Sequence, residues 1–270
     1  LDDELDHRKH LEDLKYFVGH HLDMDFGEAE DALLEGFGDE DLTEEEQIPH
    51  AHNLVAYWQE CMRLVSEAHE TNPDSLVGDM VRAQQAGDEI SDHEIASVVY
   101  SMLFAGHETT TTLISNAMRV LLSHPDQWQQ LVADPTKIGP AIDEVLRYSG
   151  SITAWRRKAL ADATVGGVDI PKGAELLLVM GSANRDEERF AAGEEFDISR
   201  DNARDHLSFG FGIHYCLGNL LAKLQAKIAL EEIVRLMPHV RLQDGSDIGF
   251  RENLSFRVPL EVPVTWKEAA

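Results

Sequence analysis

The stretch Phe209-Gly210-Phe211-Gly212-Ile213-His214-Tyr215-Cys216-Leu217-Gly218 decides how the rest of the chain is read. Gly210 and Gly212 permit a tight turn in which the backbone can approach a flat partner. Cys216 falls where an apolar helical pattern begins, and Leu217, Leu221, Leu224 and Ile228 form a stripe on a helix predicted to reach about Met237. The positive end of such a helix favours thiolate over thiol. The stripe is expected to anchor the helix in the core while its first turn presents the cysteine to a ligand. On these residues alone, a buried structural cysteine beside a glycine loop stays open as the alternative.

Upstream, Ser91 and Glu94 form an S-x-x-E capping box that opens a helix running to about Ser123, before Pro125. Ile95, Val98, Val99, Met102 and Leu103, then Leu113, Ile114, Ala117, Val120 and Leu121, make it apolar on more than one face, as in a core helix. Between them Ala105-Gly106-His107-Glu108-Thr109-Thr110, with threonines continuing to Thr112, is a poor helix interior. The backbone ladder is expected to open there, with hydroxyls bonding carbonyls or a ligand. A packing kink is the other reading. Glu144 and Arg147, three apart, share a helix face, as many surface ion pairs do.

The remaining pattern is coarse. Gln47 to Glu70 reads as a helix with Cys61 in its apolar stripe, and shorter helices cover Pro125 to Ala133 and Gly139 to Tyr148. Gly166-Gly167 and Pro171-Lys172-Gly173 punctuate short β runs, and Val240 to Leu242 and Leu254 to Val264 read as closing strands. The fold class is mainly α with small β-sheets.

Together and in this order, F-G-x-G-x-H-x-C-x-G, A-G-x-[DE]-T-T and E-x-x-R resemble the cytochrome P-450 family, in its bacterial form. The resemblance implies that residues 47–270 are the haem-binding catalytic portion of that fold, without its N-terminal helices and part of its sheet, behind an acidic, loosely matched segment 1–46. It implies haem b held by Cys216 as the metal ligand, with Phe209, Gly210, His214, Arg157 and Ala105 against the cofactor and Arg157 on a propionate. Arg157 and His214 also read as ordinary exposed residues. Glu108 and Thr109 are assigned proton delivery, Arg200 joins Glu144 and Arg147 in a structural lock, and Ala105, Ile152, Ala154 and Leu254 to Phe256 line a substrate pocket. The chain departs from the related bacterial pattern at Glu187, where proline is frequent.

The activity so implied is insertion of one atom of O2 into a small apolar organic substrate. Electrons come from a ferredoxin and its reductase, or from a fused reductase, since Ser255-Phe256-Arg257-Val258-Pro259 and the ending Val264-Thr265-Trp266 resemble the bacterial self-sufficient type. A peroxide-using haem-thiolate enzyme, a haem sensor and a non-catalytic remnant are the rivals. Fifty acidic against 23 basic side chains, net −27, exclude a nucleic-acid partner. Residues 1 to 50 carry eighteen acids against three bases and read as solvated chain. The histidines there, His7, His10, His20 and His21, have no metal-ligand spacing. Two cysteines and the lack of a long apolar run point to a reducing cytoplasm and no membrane segment.

Overall fold

A computed structural model describes residues 44–266, with side chains from 52 onward. Residues 1–43, with the early histidines and nearly all of the acidic opening, lie outside the described residues, as do 267–270. The chain divides into two compact units, one ending at Ala105 and the other starting at Gly106.

The first unit holds α1 (Glu44–Thr71), α2 (Leu76–Gln85) and the opening of α3 (Asp92–Ser123). Cys61, Val65, Ala68, Val81, Ile95, Ala96 and Val99 form its core. Cys61 is fully buried, as its place in the apolar stripe predicts, and burial pushes its thiol up, with Glu60 adding to the effect. Ser75 caps α2 by accepting from Gly78 N, and a Cβ at Gly78 would sit 2.0 Å from Pro73 O, so only glycine lets the turn close. The capping box forms as expected, with Glu94 N donating to Ser91 Oγ (3.2 Å) and Ser91 N to Glu94 Oε2 (2.7 Å). Such a cap stabilises a helix by about 1 kcal/mol.

The second unit packs the rest of α3, α4 (Pro125–Ala133), α5 (Ile138–Ser149) and α7 (Asn219–Leu236) around Leu121, Trp128, Leu131, Ile142, Val145 and Leu230. A short α6 (Met180–Ala183) precedes an irregular meander over residues 184–206. Among the described residues of this unit the antiparallel pairs are β1 (Trp155–Lys158) with β4 (Glu175–Leu178), β2 (Ala163–Val165) with β3 (Val168–Ile170), and β5 (Arg241–Leu242) with β6 (Val264–Thr265). Gly166 and Gly167, at φ 56° and 81°, close the β2–β3 hairpin in a conformation other residues disfavour.

Two expectations are corrected. Of the strand expected over Leu254 to Val264, regular pairing is confined to Val264–Thr265. The rest is tied by the bridges Ile152↔Phe256 and Phe250↔Pro259, since Pro259 and Pro263 have no N–H for a ladder. The final helix begins at Asn219, three residues after Cys216, and the predicted anchoring stripe is not buried: Leu217 is 83% exposed and Leu221, Leu224 and Ile228 between 51% and 59%. The anchor is the opposite face, Ala226, Leu230 and Val234 at helical spacing. Lys223 on the same helix pairs with Asp143 of α5 at 2.5 Å.

Candidate active site

The support of the site is a buried ion cluster. The side chains of Glu144 and Arg147 are fully buried, and Arg147 Nε and Nη2 donate to Glu144 Oε2 and Oε1 at 2.7 Å each. Its remaining donors reach the carbonyls of Asn184 (2.9 Å), Gly193 (2.7 Å) and Glu195 (2.8 Å). Arg200 joins Glu144 at 3.3 Å and ties the carbonyls of Ala191, Ala192 and Glu195, while Asp197 N donates to Glu144 Oε1. An i,i+3 pair on a surface would be worth little. Here both charges are buried and hydrogen-bonded on every side, so removing one leaves the other stranded.

Asn184 carries this order to the cysteine loop. Its Nδ2 donates to Ser208 Oγ (2.9 Å), its Oδ1 accepts from Leu207 N (2.7 Å), and Ser208 Oγ donates to Leu146 O of α5 (2.6 Å). His206, also buried, accepts from Ser208 N at Nδ1 (3.2 Å) and sits 5.5 Å, centroid to centroid, from Phe209. Burial pushes its imidazole down to about 4, outweighing the carboxylate of Asp143.

The loop then turns through Gly210 (φ 73°) and Gly212 (φ 68°) and a 3₁₀ turn, Gly212–His214, before Cys216 N donates to Phe209 O at 2.8 Å. A Cβ at Gly218, the N-cap of α7, would lie 4.0 Å from Cys216 Sγ, which puts the sulfur beside the start of an 18-residue helix. Cys216 is half-buried, and its neighbours along the chain include exposed apolar side chains: Phe211 (85%), Ile213 (97%), Tyr215, Leu217 and Leu220. A soft thiol ligand, a glycine turn and greasy walls fit a flat apolar cofactor such as haem. The loop brings Phe209, Gly210, His214 and Cys216 together, with His214 on its exposed side.

On α3, Glu108 and Thr109 are half-buried, and no atom would lie within 4 Å of a Cβ on Gly106. The ladder does not open as expected. The helix runs unbroken through the segment, and Thr111 Oγ1 shares the carbonyls of His107 and Glu108 at 3.0 Å instead of replacing their helical bonds. Ser151 Oγ donates to Thr109 O at 2.7 Å. A hairpin over 249–260 lies along this helix. Its Arg257 carbonyl accepts from Asn116 (3.0 Å), its Phe250 ring meets Arg119 (5.3 Å) and Arg257 (4.5 Å), and its Arg251 Nη1 reaches Glu108 Oε1 at 3.4 Å.

Among the residues expected to line a pocket, Ala154 is buried, Ile152 and Phe256 are half-buried and bridged, and Leu254 is exposed. Arg157 is half-buried on β1 and donates to the carbonyl of Arg156 (2.7 Å). Ala105 is the last residue of the first unit. Sequence reasoning missed Asn184, Gly193, His206 and Arg251. The only sequence signal for the first was the segment Ala183-Asn184-Arg185-Asp186; Gly193 and Arg251 join partners too distant in the chain for any spacing to show, and His206 bonds within its own loop, where its burial leaves no sequence pattern.

Comparison with known proteins gives these motifs a context. The family model described as Cytochrome P450 matches residues 43–137 and 139–252. A curated protein named biotin biosynthesis cytochrome P450, from Bacillus subtilis (strain 168), is 37% identical over 80% of this chain and 53% of its own length. The solved structure of cytochrome P450 CREJ is 70% identical, with a TM-score of 0.82 over 84% of this chain and 57% of that one, and it has also been solved in complex with (4-ethylphenyl) dihydrogen phosphate. An intact type IV self-sufficient cytochrome P450 monooxygenase is 40% identical, with a TM-score of 0.80 over 83% of this chain and 30% of that one. The chain spans about half the length of the curated relatives it matches.

Proposed function

The chain belongs to the cytochrome P450 family, and we propose that the protein it represents is a haem-thiolate monooxygenase acting on a small aryl phosphate ester, an apolar ring with an anionic end. The half-buried Cys216, set in a rigidly supported loop among exposed apolar side chains, carries the enzymatic part of this reading. The 70% identity to a P450 solved with an ethylphenyl phosphate supports the substrate class.

The residues divide the work. Cys216 would hold the iron of haem b, with its backbone fixed by Phe209 O and by Asn219, whose Nδ2 donates to Cys216 O at 2.7 Å. The apolar walls Phe211, Ile213 and Leu217 would lie against the ring and keep water from the sulfur. Arg157 and His214 are the candidates for the propionates. When bound, haem supplies the reduction of O2 by two electrons and transfer of one oxygen atom to the substrate, the other leaving as water. Glu108 would take a proton from solvent at its carboxylate and pass it toward the Thr109 hydroxyl. Ile152, Ala154 and the hairpin tip Leu254 to Phe256 would meet the apolar end of the substrate.

Electrons are assigned to a ferredoxin and its reductase. A fused reductase is the second reading, favoured by the likeness to a self-sufficient P450. The two free cysteines, Cys61 and Cys216, suit the reducing cytoplasm. No helix among the described residues is long and apolar enough to cross a membrane.

The test is turnover of 4-ethylphenyl phosphate against 4-ethylphenol by the full-length protein, with ferredoxin, reductase and NADPH. Oxygen-dependent oxidation of the ester at least about tenfold faster than of the phenol is expected, a difference of about 1.4 kcal/mol in transition-state binding. Equal turnover, or a preference for the phenol, contradicts the substrate class. Oxidation of neither contradicts the activity.

A further inference from the structure

The carboxylate of Glu108 is held from outside its own helix by a closed ring of contacts. Ser151 Oγ donates to Thr109 O (2.7 Å), and Ser151 O accepts from Arg257 N (2.9 Å). The neighbour of Arg257, Val258, accepts at its carbonyl from Arg251 N (2.9 Å), and the Arg251 side chain returns to Glu108 (3.4 Å). The ring starts and ends on adjacent residues of α3, and its far side is the hairpin 249–260. Two further contacts fix that hairpin against the helix, Asn116 to Arg257 O and Arg119 against Phe250. Glu108 and Arg119, eleven residues apart, lie within about 20° of each other around the helix, so one face carries both ends of the contact.

The Arg251–Glu108 pair is too exposed to matter for stability, with side chains 61% and 35% accessible. Its consequence is directional. A glutamate on a helix can swing its carboxyl through several rotamers, and in the one present here Glu108 Oε1 lies 3.4 Å from Arg251 Nη1. The tip of that hairpin is tied independently: Asn253 Oδ1 accepts from Ser255 N and Phe256 N at 2.8 Å each, and Thr153 N donates to Ser255 O at 2.7 Å. The segment between Arg251 and Arg257 thus holds both the carboxylate's partner and the residues proposed to meet substrate.

We propose that Arg251 is the positioning residue for Glu108, and that through it the hairpin couples occupancy at its tip to proton delivery. The proposal rests on the proton-delivery reading of Glu108. Arg251 does not exchange a proton itself. It fixes where the carboxyl waits between taking a proton from water and giving it to the Thr109 hydroxyl.

The test uses the full-length holoenzyme as wild type, Glu108→Gln, Arg251→Gln and Arg251→Lys. The infrared carboxylate band of Glu108, assigned by its loss in Glu108→Gln, is expected to shift in Arg251→Gln and to return in Arg251→Lys. Adding 4-ethylphenyl phosphate should move that band in the wild type and not in Arg251→Gln. Product formed per reducing equivalent should fall about three- to tenfold in Arg251→Gln and by more in Glu108→Gln, with Arg251→Lys within about twofold of wild type. All variants at 251 should melt like the wild type, because the side chain is exposed. An unshifted band in Arg251→Gln overturns the proposal, whether coupling is kept or lost. Normal coupling in Glu108→Gln instead overturns the proton-delivery reading, and the proposal falls with it for a distinguishable reason.

Discussion

The Glu144–Arg147–Arg200 cluster and the cysteine loop it supports differ in how complete they are. In the cluster two fully buried charges have every donor and acceptor face occupied by protein. In the cysteine loop Phe211, Ile213 and Leu217 stand more than four-fifths exposed. A polar group out of water must be satisfied by the chain itself, whereas an apolar side chain can wait for a partner at modest cost. The first region is therefore satisfied within the chain, and the second presents apolar surface beside a thiol-bearing loop.

The cluster carries the largest expected effect. Glu144→Ala leaves Arg147 buried without its carboxylate and should destabilise the folded protein by about 3–5 kcal/mol with or without haem. Thermal melting would then drop by roughly 8 °C or more, and a change under about 2 °C would show that the cluster is not the support described.

His206 gives the next effect. Its imidazole is near 4 when folded and 6.5 otherwise, so below pH 6.5 the unfolded chain takes up a proton that the folded chain refuses. The stability it contributes is present above that value and is lost as pH falls toward 4, on the order of 2–3 kcal/mol in all. Urea unfolding at pH 7 and pH 4.5 should show a smaller acid loss in His206→Gln than in the wild type. Equal losses would exclude His206 as the titrating group.

At Gly193 a Cβ would sit 2.3 Å from Arg185 O, so Gly193→Ala should cost about 1–3 kcal/mol by forcing the meander off Arg147. Chemical denaturation measures it, and a neutral result would mean the meander adapts freely. The smallest stability effect sharpens the other side of the contrast. Leu217→Ser should leave the apoprotein within about 0.5 kcal/mol of wild type yet speed haem transfer to an acceptor globin about tenfold. Stability lost equally with and without haem would place Leu217 in the fold instead of against the cofactor.

The long helix, its capping box and the glycine turn before Cys216 were legible because each is a local pattern with a local cause. The phase of α7 was not. Its most apolar stripe, Leu217 to Ile228, looks like an anchor, but the side that packs is the smaller Ala226, Leu230 and Val234. Periodicity shows that a helix has an apolar face without showing what covers it. The E-x-x-R pair could be found by its spacing, but its burial depends on Asn184, Gly193 and Glu195 carbonyls supplied by a meander. Arg251 meets Glu108 across 143 residues, a distance at which only the fold can make the pairing. The prolines 259 and 263 argued against a regular closing strand, and the strand reading passed over them.

Cys216, and not Cys61, is the proposed ligand of the iron. The direct measurement is the carbon monoxide difference spectrum of the reduced full-length protein as wild type, Cys216→Ser and Cys61→Ser. The red-shifted band of a thiolate-ligated haem is expected in the wild type and in Cys61→Ser, and is expected to be lost in Cys216→Ser. Retention of that band without Cys216 would contradict that assignment.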